Sequence, residues 1–131
     1  MIVLDASAVA ELLLDTEQGE RVGRLVATPH ESLHAPELLA AEIASVLRKF
    51  VLRGEMAVLV AQRAIGELQA LGIETYPHLP FMSRVLDLRA TVASYDAFYV
   101  ALAEALNAAL VTCDARLAST LGHQARIELI E

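Results

Sequence analysis

Ile2-Val3-Leu4-Asp5-Ala6-Ser7 is the stretch on which the fold turns. Three apolar residues, two of them β-branched, read as a short buried strand that ends on an aspartate. A second stretch of the same kind, Ala109-Leu110-Val111-Thr112, runs through Cys113 to another aspartate, Asp114. Between and around them the apolar residues recur at helical spacing. Strands that alternate with helices imply a mainly parallel sheet covered on both faces. The expected fold class is α/β, a three-layer α/β/α sandwich.

Working outward, residues 2–5 form the first strand and Ser7 is placed to cap a helix over about 7–14. A second helix over 17–27 ends before Thr28-Pro29, because a residue preceding proline leaves the helical region. Residues 33–35 read as a strand, and Pro36 opens a long helix to Leu52 from the N1 position that proline favours. Arg53-Gly54 closes that helix, and a partner helix covers 55–70. A strand at 73–76, a turn at 77–80 and helices at 81–92 and 95–107 follow. The strand 109–112, a helix at 115–121 and a strand at 126–130 finish the chain.

The chain has 131 residues, 56% of them hydrophobic, which suits one domain over 1–131 with a real core and excludes disorder. No apolar run approaches the roughly 20 residues of a membrane helix, and Asp5 interrupts any signal-peptide pattern. A cytoplasmic protein with no membrane partner is expected. Cys113 is the only cysteine, so neither an intramolecular disulfide nor a thiolate zinc cluster can form, and it reads as a small core residue. A net charge of −7 opposes a polyanionic partner unless some acids face bound cations. Arg48, Lys49, Arg53 and Arg63 then make a local basic zone, of which Arg48, Lys49 and Arg53 are the candidate RNA contacts.

Four acids carry the chemistry. Asp5 and Asp114 end two strands, and sites in parallel sheets form beyond such ends, where strand order reverses. Glu42 interrupts the apolar stripe of Leu39, Ile43, Val46 and Phe50, with a boundary residue snorkelling to water as the plainer alternative. Asp96 lies in the first turn of a helix, where the dipole alone would favour it, and Asp114 could equally be a helix cap. Gathering unpaired carboxylates is costly unless a cation sits among them. Oxygen ligands from four segments suit a hard ion, Mg²⁺ or Mn²⁺. By comparison, His30, His34, His78 and His123 read as solvated loop or strand-end residues, Tyr95 and Tyr99 as core and rim packing in preference to base-stacking platforms, and Glu104 as an exposed helix position.

Four segments in order carry a resemblance: Ile2–Ser7, Ala35-Pro36-Glu37-Leu38-Leu39-Ala40-Ala41-Glu42-Ile43, Tyr95-Asp96-Ala97-Phe98-Tyr99-Val100-Ala101-Leu102-Ala103-Glu104, and Leu110-Val111-Thr112-Cys113-Asp114-Ala115-Arg116-Leu117-Ala118. With this spacing the chain is similar to PIN domains, specifically the VapC-type toxin ribonucleases of toxin–antitoxin pairs. The resemblance implies a Mg²⁺- or Mn²⁺-dependent endoribonuclease that leaves a 5′-phosphate and a 3′-hydroxyl. Its catalytic and metal-binding acids would be Asp5, Glu42, Asp96 and Asp114, supported by the hydroxyls of Ser7 and Thr112. It further implies a homodimer and a cognate antitoxin protein that blocks the site. Ser45 stands where many relatives have asparagine, and no acid follows Asp114 until Glu128.

Two rivals come from other classes. A phosphoacceptor receiver domain also places acids at strand ends, but it needs a lysine after a late strand, and the sole lysine here, Lys49, is in a helix. A catalytically silent PIN-like module that only binds RNA or protein would have no use for four intact acids.

Overall fold

The computed structural model describes all residues from Met1 to Glu131. Five short strands form one sheet: β1 (Ile2–Leu4), β2 (Leu33–Pro36), β3 (Glu74–Tyr76), β4 (Ala109–Thr112) and β5 (Ile127–Leu129). Every pairing is parallel and the order is β3-β2-β1-β4-β5. The chain therefore leaves β1 on one side to build β2 and β3, and later returns on the other to build β4 and β5. That reversal makes the carboxyl ends of β1 and β4 a switch point.

Seven helices join the strands: α1 (Ala6–Leu13), α2 (Glu17–Val26), α3 (Leu38–Leu52), α4 (Val58–Ala70), α5 (Met82–Asp87), α6 (Ser94–Leu106) and α7 (Ala115–Ala118). Val3 and Leu4 point to opposite faces of the sheet and both are wholly buried, and every position of β2 and β4 is buried too. Helices must therefore cover both faces. The result is the three-layer α/β/α sandwich. α6 packs against β1, β2 and β4, while α1 pairs with α2 and touches α3 and α4. The α1–α2 approach is close enough that a Cβ on Gly19 would meet the Glu11 carbonyl oxygen at 2.1 Å.

Several boundaries differ from the sequence reading. The β1 ladder continues past Leu4 through a bond from Asp5 N to the Val111 carbonyl at 2.9 Å, so α1 starts at Ala6 and Asp5 holds the cap position. Ser7 lies in the first turn and does not cap. Pro36 ends β2 instead of opening a helix, because it pairs with Tyr76 and the ladder runs on through Glu37 N to the Tyr76 carbonyl at 2.9 Å. Helix α3 consequently begins at Leu38. It ends as expected at Arg53, with Gly54 at φ +72°, a conformation that costs glycine little. The 81–92 segment is helical only over Met82–Asp87, after a 3₁₀ turn at Leu79–Phe81. Helix α7 stops at Ala118.

Candidate active site

The β1–β4 register builds the centre of the site. Leu4 is paired with Val111, so the next residues along, Asp5 and Thr112, meet at the sheet's carboxyl edge. Thr112 Oγ1 donates to Asp5 Oδ2 at 2.8 Å, and Ser7 Oγ donates to the same oxygen at 2.6 Å. Both hydroxyls in turn accept a backbone N–H: Cys113 N reaches Ser7 Oγ at 3.0 Å and Asp114 N reaches Thr112 Oγ1 at 3.0 Å. Each hydroxyl has one proton and gives it to Asp5, so their 3.1 Å mutual approach is a contact and not a third donated bond. Asp5 is only 5% exposed, and this arrangement leaves its Oδ1 free of protein donors.

The other acids arrive from helices. Glu42 projects from α3, and its Oε1 accepts the Tyr99 hydroxyl at 2.7 Å. Tyr99 is wholly buried in α6, and burial beside Glu42 pushes its phenol far above the ordinary range. Burial also raises the Glu42 pKa; the Tyr99 bond opposes this, and the charges of Asp5 and Asp96 add to it. Asp96, in the first turn of α6, is raised by burial, then by Asp5 and Asp114, with Arg116 opposing. Asp114 caps α7 by accepting Arg116 N at 2.9 Å, so it is both a helix cap and part of the acidic group. Arg116 Nε stands 3.7 Å from Asp114 Oδ1, and no lysine or arginine pairs with Asp5, Glu42 or Asp96. Four acids from four segments thus share one patch at the switch point, with the exposed Arg116 beside Asp114 as its one cation and none paired with Asp5 or Glu42.

The PIN domain family model matches residues 2–121, essentially the length that carries these acids. The chain belongs to the PIN domain family. Among its relatives, ribonuclease VapC9 of Mycobacterium tuberculosis is 42% identical over 130 residues, covering 99% of this chain and 98% of that protein. Among solved structures, PAE2754 from Pyrobaculum aerophilum superposes with a TM-score of 0.72 at 20% identity, over 96% of this chain and 81% of that one. DNA-bound VapBC from Salmonella typhimurium gives 0.65 at 14% identity, over 97% and 96%.

The donor set of this PIN domain fits an oxygen-preferring divalent cation. Asp5, Glu42 and Asp114 each use one carboxylate oxygen for an internal bond and keep the other, while Asp96 keeps both. Neither imidazole nor thiolate lies in the set. As the side chains stand, no three of them close around a single point. The Cys113 thiol is held up to about 11 by burial and then by Glu11 and Asp5, which leaves it protonated at neutral pH. It is only partly buried and packs against the edge of the core.

Other candidates fall elsewhere in the PIN domain. His34 is buried in β2, not solvated: this inner strand is covered on both faces, and the ring is satisfied by Tyr76 OH and Ser32 Oγ at 2.8 Å each. His78 is half-buried against Phe98, and its Nε2 accepts Leu38 N at 3.0 Å, capping α3. His123 is half-buried, with Nε2 3.1 Å from Thr120 Oγ1. Glu104 is not an exposed helix residue: Arg84 binds it at 2.8 and 2.9 Å, Gln124 N donates to it at 3.0 Å, and Arg84 holds its carboxyl below the usual range. It lies eight positions from Asp96, about 12 Å along the helix, and serves as a structural tie.

Of the basic zone, Lys49 borders the cavity beside Glu42, whereas Arg48 is turned well away around the helix and Arg53 lies further along it. Two further residues bear on the site. Tyr99 packs in the core, as its sequence position suggests, and three residues after Asp96 it also lies on the neighbouring turn of α6, where its hydroxyl meets Glu42. Arg116, two residues after Asp114, is the one cation felt by Asp96.

Proposed function

We propose that this PIN domain is a divalent-metal-dependent endoribonuclease, the toxin of a toxin–antitoxin pair, hydrolysing RNA phosphodiester bonds at the Asp5–Glu42–Asp96–Asp114 patch. The observation that carries the reading is the gathering of four carboxylates at the β1/β4 switch point with Arg116 as the only cation beside them. Full-length similarity to a ribonuclease supports it.

Asp5 and Asp96 are the proposed direct metal ligands, Glu42 a ligand or water-orienting group, and Asp114 the ligand of a weaker position. A divalent ion such as Mg²⁺ or Mn²⁺, when bound, neutralises charge at the scissile phosphate and acidifies the attacking water. The protein's own part is positional. Ser7 and Thr112 aim Asp5 by fixing one oxygen, and Tyr99 fixes Glu42 in the same way. Because these groups are already held, little reorganisation is left for the reaction itself.

The proposed partners are RNA, a cognate antitoxin that covers the acids, and a second copy of this chain. The VapBC complex supports the antitoxin reading. Leu79, Met82 and Leu86, exposed around α5, offer apolar surface to a homodimer. No helix is long and apolar enough to cross a membrane, in keeping with the proposed cytoplasmic location. The test is cleavage of structured and unstructured RNA with Mg²⁺ or Mn²⁺, and again with EDTA. Metal-dependent cleavage lost in Asp96→Asn supports the proposal. RNA binding without cleavage under any of these conditions would leave the catalytically silent module.

A further inference from the structure

Beside the acids, between α1, α3 and the start of α6, lies a cavity of about 430 Å³, within the range of ligand sites. Small side chains are among those that line it: Ala6 and Ala10 on α1 and Ala41 on α3. Glu42 borders both this cavity and the acidic patch, so an occupant lies within one side chain of the reacting groups. Tyr95 forms the rim. The residue is 64% exposed although it immediately precedes Asp96, and an aromatic left this open beside a polar site can offer a stacking face. Lys49 closes the far end, seven residues and about 10 Å along α3 from Glu42.

We propose that this cavity receives one unpaired nucleobase adjacent to the cleaved phosphate, stacked on Tyr95, with Lys49 on the neighbouring phosphate. The inference rests on the nuclease reading and adds a base site to it: one nucleobase held at one defined position by Tyr95. The chemistry matches at each end. A nucleobase has a π-face for the tyrosine and apolar walls suit its flanks, while the phosphate beyond it meets the chain's only lysine. A paired base cannot enter, because reaching the cavity floor means leaving the stack. An acidic or apolar peptide could fill the same walls, but it would not need the cavity to be continuous with the carboxylates.

The experiment uses the full chain in EDTA, which blocks cleavage, and a short unpaired RNA carrying the fluorescent base 2-aminopurine at one position, scanned along the strand. Quenching is expected at a single position next to the site that is cut when Mn²⁺ is restored. Tyr95→Ala should abolish that quenching and weaken binding by about 5-fold to about 150-fold, and Tyr95→Phe should retain both, with melting temperature unchanged in each. Lys49→Ala should weaken binding mainly at low salt while the quenched position stays the same. If wild type binds and cuts RNA but no position is quenched, or Tyr95→Ala behaves as wild type, the base site is overturned and the nuclease reading survives. If wild type neither binds nor cuts RNA, the nuclease reading itself has failed.

Discussion

The Tyr99 hydroxyl donates to Glu42 Oε1 at 2.7 Å and so ties the fully buried centre of α6 to the one carboxylate that interrupts the apolar stripe of α3. The bond stabilises the charged form of Glu42 against burial and the neighbouring acids. Tyr99→Phe keeps the ring and removes only the donor. Glu42 then becomes harder to ionise, so the acidic limb of the RNA cleavage profile should move to higher pH. Stability should fall by about 1–3 kcal/mol, as for a lost bond to a charged acceptor. A pH–rate profile beside a urea titration checks both.

The pH dependence of stability follows from Glu42 and Asp96. Their carboxyls titrate above the ordinary 4.5 and 3.8, so in this window the folded state holds more protons than the unfolded one. Their contribution to metal-free stability should therefore fall as pH rises from about 4 through those raised values, against the opposite slope of Glu104, which Arg84 holds below the usual range. Glu42→Gln and Asp96→Asn should flatten the fall, and Mg²⁺ or Mn²⁺ should raise the wild-type melting temperature at neutral pH more than that of Asp96→Asn. Thermal melts of wild type and variants across pH, with and without metal, would show it; a difference between them that does not change through this window would be inconsistent with the acids as described.

Thr112 is wholly buried and serves two groups, donating to Asp5 and accepting Asp114 N. Thr112→Val keeps the shape but leaves a backbone N–H without a partner and Asp5 with one donor fewer. Stability should drop by about 1–3 kcal/mol and cleavage should fall with it. Thr112→Ser should restore most of both. Chemical denaturation and initial cleavage rates separate the two effects.

Gly19 and Gly23 lie one turn apart on α2 and should respond oppositely to alanine. At Gly19 the new Cβ would meet a backbone carbonyl at 2.1 Å, so α2 must move off α1, at a cost of about 1–3 kcal/mol. At Gly23 it meets only the Leu12 side chain at 3.4 Å, and the gain in helix propensity of about 0.5–1 kcal/mol should prevail. Paired melting curves of the two variants decide this.

Lys49→Ala should lower the salt slope of RNA binding by about 0.7, whereas Arg48→Ala should leave it nearly unchanged. The two residues are neighbours in sequence, but only Lys49 borders the cavity that contains Glu42. Binding isotherms at several salt concentrations would distinguish them.

Residue types and their periodicity were sufficient, by themselves, for the alternation of strand and helix, the parallel sheet, and the out-of-place acids Asp5 and Glu42, whereas Asp96 and Asp114 read as well as helix-start residues and joined them only by their company. A buried strand or an amphipathic helix advertises its apolar face locally, and an acid within such a face stands out because desolvation penalises it. Only the tertiary structure decided which groups those acids meet. Thr112 reaches Asp5 across 107 positions because β4 pairs with β1 in one register, and a shift of one residue would turn its hydroxyl to the other face of the sheet. The same holds for Tyr99 against Glu42, for the burial of His34 on an inner strand, and for the exposure of Tyr95 on a cavity floored by alanines. Local pattern reports how a residue is covered; what covers it is settled by packing between segments far apart in the chain.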